Sequence, residues 1–396
     1  MEEIKSKPLS SYIFIPLLSL IFLRPFFSGL AYPVFERCYE LILIALAIAV
    51  FLKGASRVKT KINPIAIPII LLLSAYFISA ISSINKTNAV SEVLKFSSFA
   101  FMFYLASKTS EKQENLIIKT IVISGIIISA YAIYQYLWGY ANTIQYLKDI
   151  NSDFLIKSSY ARDILIAKRA IGTFPSPNIF GGYLAVIFFL MLYILSGQRP
   201  GIFIKILALL IILSALVLTK SMGAWLSLIA GAAFLLLSHK TIRHKKIILI
   251  AFIAVIFLIS GFIIAARWER ITNLENPQNS ITQRLNYWRT AMAMIKTHPI
   301  LGVGPGNFQD AFLQYKIGLS TDTRYAHNLL LHTWAETGIL GIISLIYLLA
   351  AFLKKARSKS KYIILAGAVF LIHNLIDNTY LIPEASFLWW VLLALV

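Results

Sequence analysis

Apolar runs of about 20 residues recur from one end of this chain to the other, each long enough to cross a bilayer core of roughly 30 Å. They fall near 12–30, 34–52, 63–84, 91–107, 115–138, 174–196, 201–219, 222–238, 246–266, 327–352, 361–379 and 383–396. With 58% hydrophobic and only 14% charged residues, the chain lacks the charge that a soluble surface of its length requires. The pattern predicts an all-α polytopic membrane protein of about twelve transmembrane helices, with 1–396 as a single integral membrane domain. The fourth run is the weakest, diluted by Glu92 and Lys95, and the last is short. No cleavable signal peptide is expected, because the first run carries Arg24-Pro25 and no small-residue cleavage site follows. One cysteine, Cys38, excludes an intramolecular disulfide and a cysteine metal cluster.

A net charge of +20 would suit a nucleic-acid binder, but its placement points to a membrane instead. Basic residues gather in alternate short connections: Lys53, Arg57, Lys59 and Lys61, then Lys240, Arg243 and Lys245, then Lys354, Lys355, Arg357 and Lys359. By the positive-inside rule these connections are cytoplasmic, and both termini with them. The same alternation turns two long connections, 139–173 and 267–326, to the outer side. Membrane lipids are the expected surroundings, and no nucleic acid is expected as partner.

The second long connection holds the densest polar chemistry. The run 280–297, SITQRLNYWRTAMAMIKT, predicts an amphipathic helix with Leu285, Trp288, Met292 and Ile295 on its apolar side. His298-Pro299 ends it, since a residue before proline avoids the helical region. Gly302 to Phe308, GVGPGNF, has glycine spacing like a dinucleotide fingerprint but no strand before it, so a tight turn is the expectation. A second short helix is expected over 309–316. The chain re-enters the apolar region at His327-Asn328, and His332 and Glu336 form an i, i+4 pair expected to satisfy each other.

At these residues the sequence resembles the O-antigen ligase family, which is related to O-antigen polymerases and bacterial O-oligosaccharyltransferases. His327-Asn328, nine intervening residues, then Gly338-x-x-Gly341 is similar to the family signature. Arg284 to Phe308 resembles the block that precedes it. Arg169-Ala-Ile-Gly172-Thr-Phe174-Pro-Ser-Pro-Asn178 resembles the segment joining the first outward loop to the next span. One stretch departs: Lys220-Ser221-Met222-Gly223-Ala224 stands where many members carry Ser-Arg-Gly-Ala.

The resemblance implies a GT-C-like membrane glycosyltransferase in the bacterial inner membrane, with its active site on the periplasmic face. The implied donor is an undecaprenyl diphosphate-linked glycan and the implied acceptor a hydroxyl of the lipid A-core oligosaccharide. No metal or other cofactor is implied. A lipid diphosphate leaving group calls for arginine, whose planar fork binds phosphate oxygens bidentately. Arg284 and Arg169, one on each outward loop, are the candidates. A sugar hydroxyl gains from a general base that titrates near neutrality, which suits His327. Arg324, close by in sequence, is expected to bias that imidazole toward its neutral form. Arg289, Arg324, Asn178 and Asn328 are candidate substrate-binding residues.

Blander readings stand beside these. Arg284 also reads as a headgroup contact or a partner for Trp288, and Arg169 as a snorkelling anchor. His373 and Asp377, four residues apart, read as a mutually neutralising pair at the end of the eleventh run. An O-antigen polymerase and a protein O-oligosaccharyltransferase remain open. The chain stops directly after its last run, which leans toward a ligase or polymerase. A lipid-linked glycan transporter fits less well, because its polar residues would sit in interrupted helices at the midplane.

Overall fold

The computed structural model describes residues 8–55, 63–197, 201–238, 279–318, 320–356 and 360–396, with positions 261, 272 and 273. Among them there is no strand, and helix covers eleven of the apolar runs. The run expected near 246–266 lies outside the described residues except for position 261. The helices are α1 (Ser11–Leu23), α2 (Pro33–Ala55), α3 (Ala66–Ile81), α4 (Lys86–Ala106), α5 (Glu111–Tyr134), α6 (Tyr140–Asp149), α7 (Pro177–Ser196), α8 (Ile202–Thr219), α9 (Met222–Ser238), α10 (Ser280–Thr297), α11 (Phe308–Tyr315), α12 (Leu329–Ala356), α13 (Lys361–His373) and α14 (Pro383–Leu395). Among the described residues, five stretches are long and apolar enough to cross a membrane: α4, α5 continuing through α6, α7, α8 and α12. In lipid a helix is the natural choice, because it satisfies its own backbone groups.

Local signals explain where several helices start. The Asn85 side chain accepts from the amides of Thr87 and Asn88 ahead of α4. Ser176 accepts from Ile179, and Pro177 opens α7 where its missing N–H costs nothing. Asn279 accepts from Ile281 ahead of α10. The weak fourth run is a full helix because its charges neutralise each other: Lys95 pairs with Glu92 at 2.5 Å and donates to the carbonyl of Leu381 at 3.1 Å.

Packing centres on α7, buried all round from Ile179 to Met191 and lined by α8, α9 and α13. Helix α14 is buried along its whole length and packs on α4, while α12 lies along α3. All-round apolar helices belong in such interiors. Arg24 is wholly buried between Glu36 (2.6 Å) and Glu384 (3.9 Å) and lies over the ring of Tyr39, so it clasps α1, α2 and α14 together.

Three expectations need correction. The fifth run does not stop near 138: a π-helical turn, Gln135–Gly139, carries α5 on into α6, so the helix enters the first long connection. The apolar side of α10 is only partly its buried side, with Ile295 buried and Trp288 half-buried. Leu285 and Met292 are exposed, whereas Gln283, Asn286, Tyr287, Thr290, Ala291, Met294 and Ile295 are buried, because this connection packs its own polar interior. Finally, α13 ends at His373, so Asp377 lies in the following loop and not one helical turn above His373.

The GVGPGNF turn packs against the start of α12. Gly302, Gly304 and Gly306 have positive φ, and the amides of Val303 and Gly304 donate to the carbonyls of Ala335 and Glu336. The amides of Gly306 and Phe308 donate to the Glu336 carboxylate at 2.9 and 3.0 Å. Backbone N–H groups of the kind that cradle phosphate elsewhere here hold an internal anion. On the facing side α12 kinks at Gly338, whose φ is 64°, and the amide of Ile339 donates to the carbonyl of Pro299. A Cβ on Gly338 would run into the carbonyl oxygen of Ile300. Gly338→Ala is therefore expected to cost about 1–3 kcal/mol, seen as a lowered unfolding midpoint in detergent. An unchanged midpoint would show that the kink tolerates a side chain.

Candidate functional site

One turn of α10 carries Gln283, Arg284 and Tyr287. Arg284 Nε donates to the carbonyl of Ile376 at 2.7 Å, and its Nη2 pairs with Asp377 Oδ2 at 3.1 Å. The other oxygen of that carboxylate, Oδ1, accepts from the amide of Asn378 and lies 3.7 Å from His327 Nδ1. At that distance Asp377 and His327 are in electrostatic contact without a hydrogen bond, and Nδ1 is buried with no hydrogen-bond partner. Tyr287 stacks on the imidazole, ring centroids 5.6 Å apart. Its phenol donates to Gln283 at 2.7 Å, and burial raises it above its ordinary range, so it remains a hydroxyl.

His327 has φ of 52°, a left-handed conformation that costs a non-glycine residue about 1–2 kcal/mol. Contacts on its C-terminal side hold it there. Asn328 caps α12 by accepting from Leu331, and its amide donates to the carbonyl of Leu375 at 2.9 Å. The amide of Leu329 donates to the carbonyl of Asn374 at 2.8 Å. The loop carrying Asp377 is thus pinned to the residues flanking His327.

The Asp377 carboxylate is only 3% exposed. Burial alone would raise its pKa, but the imidazole of His327 and the guanidinium of Arg284 outweigh burial and hold it below the usual carboxylate range. Arg284 and His327 keep about a quarter of their side-chain surface exposed, at 24% and 25%. The site therefore has a buried anionic floor beneath a cation and an imidazole that both reach the surface.

Arg169 occupies a separate cluster. Its Nε donates to the carbonyl of Thr219 at 3.1 Å, Nη1 pairs with Asp163 at 2.6 Å, and Nη2 donates to Asn178 Oδ1 at 2.8 Å. Lys168 and Lys220 approach the ring of Tyr136 at 5.9 and 6.0 Å, and the Lys220 ammonium donates to the carbonyl of Ala167. The Arg169 cluster also abuts the end of α13. Asn178 is in the first turn of α7, and one turn on, Gly182 faces the His373 ring so closely that a Cβ would collide with it.

Arg289 and Arg324 are both exposed, and no ion pair of either is present among the described residues. The charged group paired with the His327 imidazole is the Asp377 carboxylate. Sequence reasoning passed over Asp377 because it read as the helical partner of His373. Asn374 was a usable signal for the end of that helix, since asparagine often closes helices.

Fold and site together define an all-helical protein with several membrane-length helices and a charged site between its long connection and the loop after α13. Residues 207–346 match the model of the O-antigen ligase family. An O-antigen ligase of Salmonella typhimurium is 28% identical over 156 residues, 36% of this chain and 37% of that protein. An uncharacterized protein of Haemophilus influenzae is 23% identical over 209 residues, 46% of this chain and 52% of that protein. The chain thus matches 37% and 52% of the lengths of these two curated relatives. By these matches the chain is similar to the O-antigen ligase family over residues 207–346, with Arg284 and His327 inside the matched stretch and Arg169 and Asp377 outside it.

Because the Asp377 carboxyl titrates below its ordinary range when folded, its stabilisation is present above that range and is lost only as pH falls through the lowered value. Asp377→Asn is expected to cost about 3–5 kcal/mol at neutral pH, the penalty for breaking a buried pair. The gap between wild-type and variant unfolding midpoints should stay constant down to about pH 4 and shrink only below it. A gap that closes between neutrality and mild acid would contradict this electrostatic account.

Proposed function

We propose that the protein is a membrane glycosyltransferase of the ligase type, moving an O-antigen or similar glycan from undecaprenyl diphosphate to a hydroxyl of the lipid A-core oligosaccharide. The observation that carries this reading is the shared Asp377 carboxylate, which gathers an imidazole and a guanidinium at one partly exposed place. In the same reading the chain has about twelve spans in a GT-C-like arrangement, lies in the bacterial inner membrane with both termini cytoplasmic, and turns this site to the periplasm.

In the proposed reaction the acceptor hydroxyl gives its proton to His327 as its oxygen attacks the anomeric carbon. The bond from that carbon to the diphosphate oxygen breaks on the opposite face, inverting the configuration. With Nδ1 directed at Asp377, the imidazole carries its proton on Nδ1 and presents Nε2 as the accepting nitrogen. The carboxylate then stabilises the imidazolium that forms, as in other acid–imidazole pairs. Undecaprenyl diphosphate leaves with the negative charge, which Arg284 meets through the edge of its guanidinium not occupied by Asp377. Arg169, oriented by Asn178 and Asp163, supplies a second cation toward the diphosphate, and Arg289 and Arg324 contact the substrates from exposed positions. No metal is required in this scheme, so transfer by purified protein should resist chelators.

Complementation tests the reading. Expression in a strain lacking its O-antigen ligase should restore capping of core with long chains on a lipopolysaccharide gel. Restored chain length only in a polymerase-deficient strain would assign polymerisation instead. His327→Ala should abolish transfer, a loss of at least about 100-fold, with the folded protein retained. Wild-type activity in that variant would sink the mechanism.

A further inference from the structure

The left-handed conformation of His327 is held on its C-terminal side by Asn328 and Leu329, and on its N-terminal side by a side chain with no assigned part in the reaction. The amide of Ala326 donates to His332 Nδ1 at 3.4 Å. His332 is 2% exposed, and its other nitrogen, Nε2, lies 3.4 Å from Glu336 Oε2. Glu336 is itself fixed by the amides of Gly306 and Phe308. Phe308 and Tyr325 flank the imidazole, with ring centroids 5.2 and 5.7 Å away. An unbroken series of polar contacts thus runs from the GVGPGNF turn through Glu336 and His332 to the residue immediately before His327.

We propose that His332 is a positioning residue for His327, locked as the Nε2–H tautomer by Glu336 so that its bare Nδ1 can hold the Ala326 amide. The tautomer follows from the geometry. An amide N–H can only be accepted by an unprotonated nitrogen, so the ring proton must sit on Nε2, where the carboxylate receives it. Ala326 immediately precedes the strained residue, so this contact limits how far the His327 backbone can relax toward ordinary φ. Glu336 is aimed by the glycine turn, which gives that turn a part in the reaction without contact with either substrate. The proposal rests on the reading of His327 as the base, but its structural half does not.

Two measurements test it on the full-length protein. Asparagine at 332 keeps an acceptor at the reach of Nδ1, whereas glutamine keeps a group only at the reach of Nε2. His332→Asn should retain most of kcat, while His332→Gln and His332→Ala should lose about 10- to 100-fold in kcat with KM for the lipid-linked donor unchanged. Equal activity in the asparagine and glutamine variants, or a rise in KM with kcat intact, would overturn the proposal. Independently of activity, nitrogen-15 NMR of histidine-labelled wild-type protein in bilayers should show an unprotonated Nδ1 for His332. Its signal is identified among the six histidines by its absence in His332→Asn. A protonated Nδ1 would overturn the proposal even if the His332 variants were inactive. Transfer surviving in His327→Ala would refute the base assignment alone, since the NMR result still decides the contact between His332 and Ala326.

Discussion

A carboxylate withdrawn from water must be met by positive charge or hydrogen-bond donors, and Asp377 imposes that condition on the site. It is 3% exposed and lies in a loop, so no helix of its own supplies those partners. Arg284 must come from α10 and His327 from the start of α12, and both arrive with backbone contacts to the same loop, at Ile376 and, through Asn328, at Leu375. Three segments far apart in sequence thereby become one site. The buried charge specifies which turn of α10 faces the loop: a rotation of that helix would take Arg284 away from Asp377.

The same logic operates at Glu336, but the donors there are backbone amides. The positive φ angles of Gly302, Gly304 and Gly306 curl the turn until two N–H groups point at one carboxylate. Gly338 permits the approach from the other side, because any side chain at this kink would meet the Ile300 carbonyl. The glycines of the signature and of the preceding block are therefore two halves of one close contact. Their spacing has a steric reason that makes no reference to substrate, and it leaves His332, one turn before Glu336, facing the backbone that leads into His327.

Helix positions were legible in the sequence because they rest on local signals. The bounds expected for α10, 280–297, are those observed: Asn279 caps one end and His298-Pro299 closes the other. Arg284 and His327 were legible through motif spacing. The charged floor that joins them was not. Spacing on a helix holds only while the helix lasts, and α13 stops at His373, which converts an apparent i, i+4 pair into two residues with different neighbours. The buried side of α10 was hidden for a related reason. Apolar periodicity identifies the side that avoids water, and in the proposed membrane setting both lipid and protein satisfy that demand. Leu285 and Met292 took the surface, while Asn286 and Gln283 went inside, where Gln283 accepts from Tyr287 and from the amide of Thr321.

The two arginines singled out by their motifs differ in a way that bears on their parts in the proposed reaction. Arg169 has all three guanidinium nitrogens engaged, by Thr219, Asp163 and Asn178, and only 9% of its side chain is exposed. Arg284 spends Nε and Nη2 on the Asp377 loop, while Nη1 has one long contact, 3.5 Å to the carbonyl of Ser280. A diphosphate arriving at Arg284 meets a guanidinium edge that is already oriented and still available, so binding there requires no ion pair to break. At Arg169 the anion must compete with Asp163, which is itself 40% exposed and therefore cheap to release into water. In the proposed reaction Arg284 is accordingly the cation suited to the leaving group as charge develops. Under the same proposal Arg169 is suited to exchange Asp163 for a phosphate of the donor.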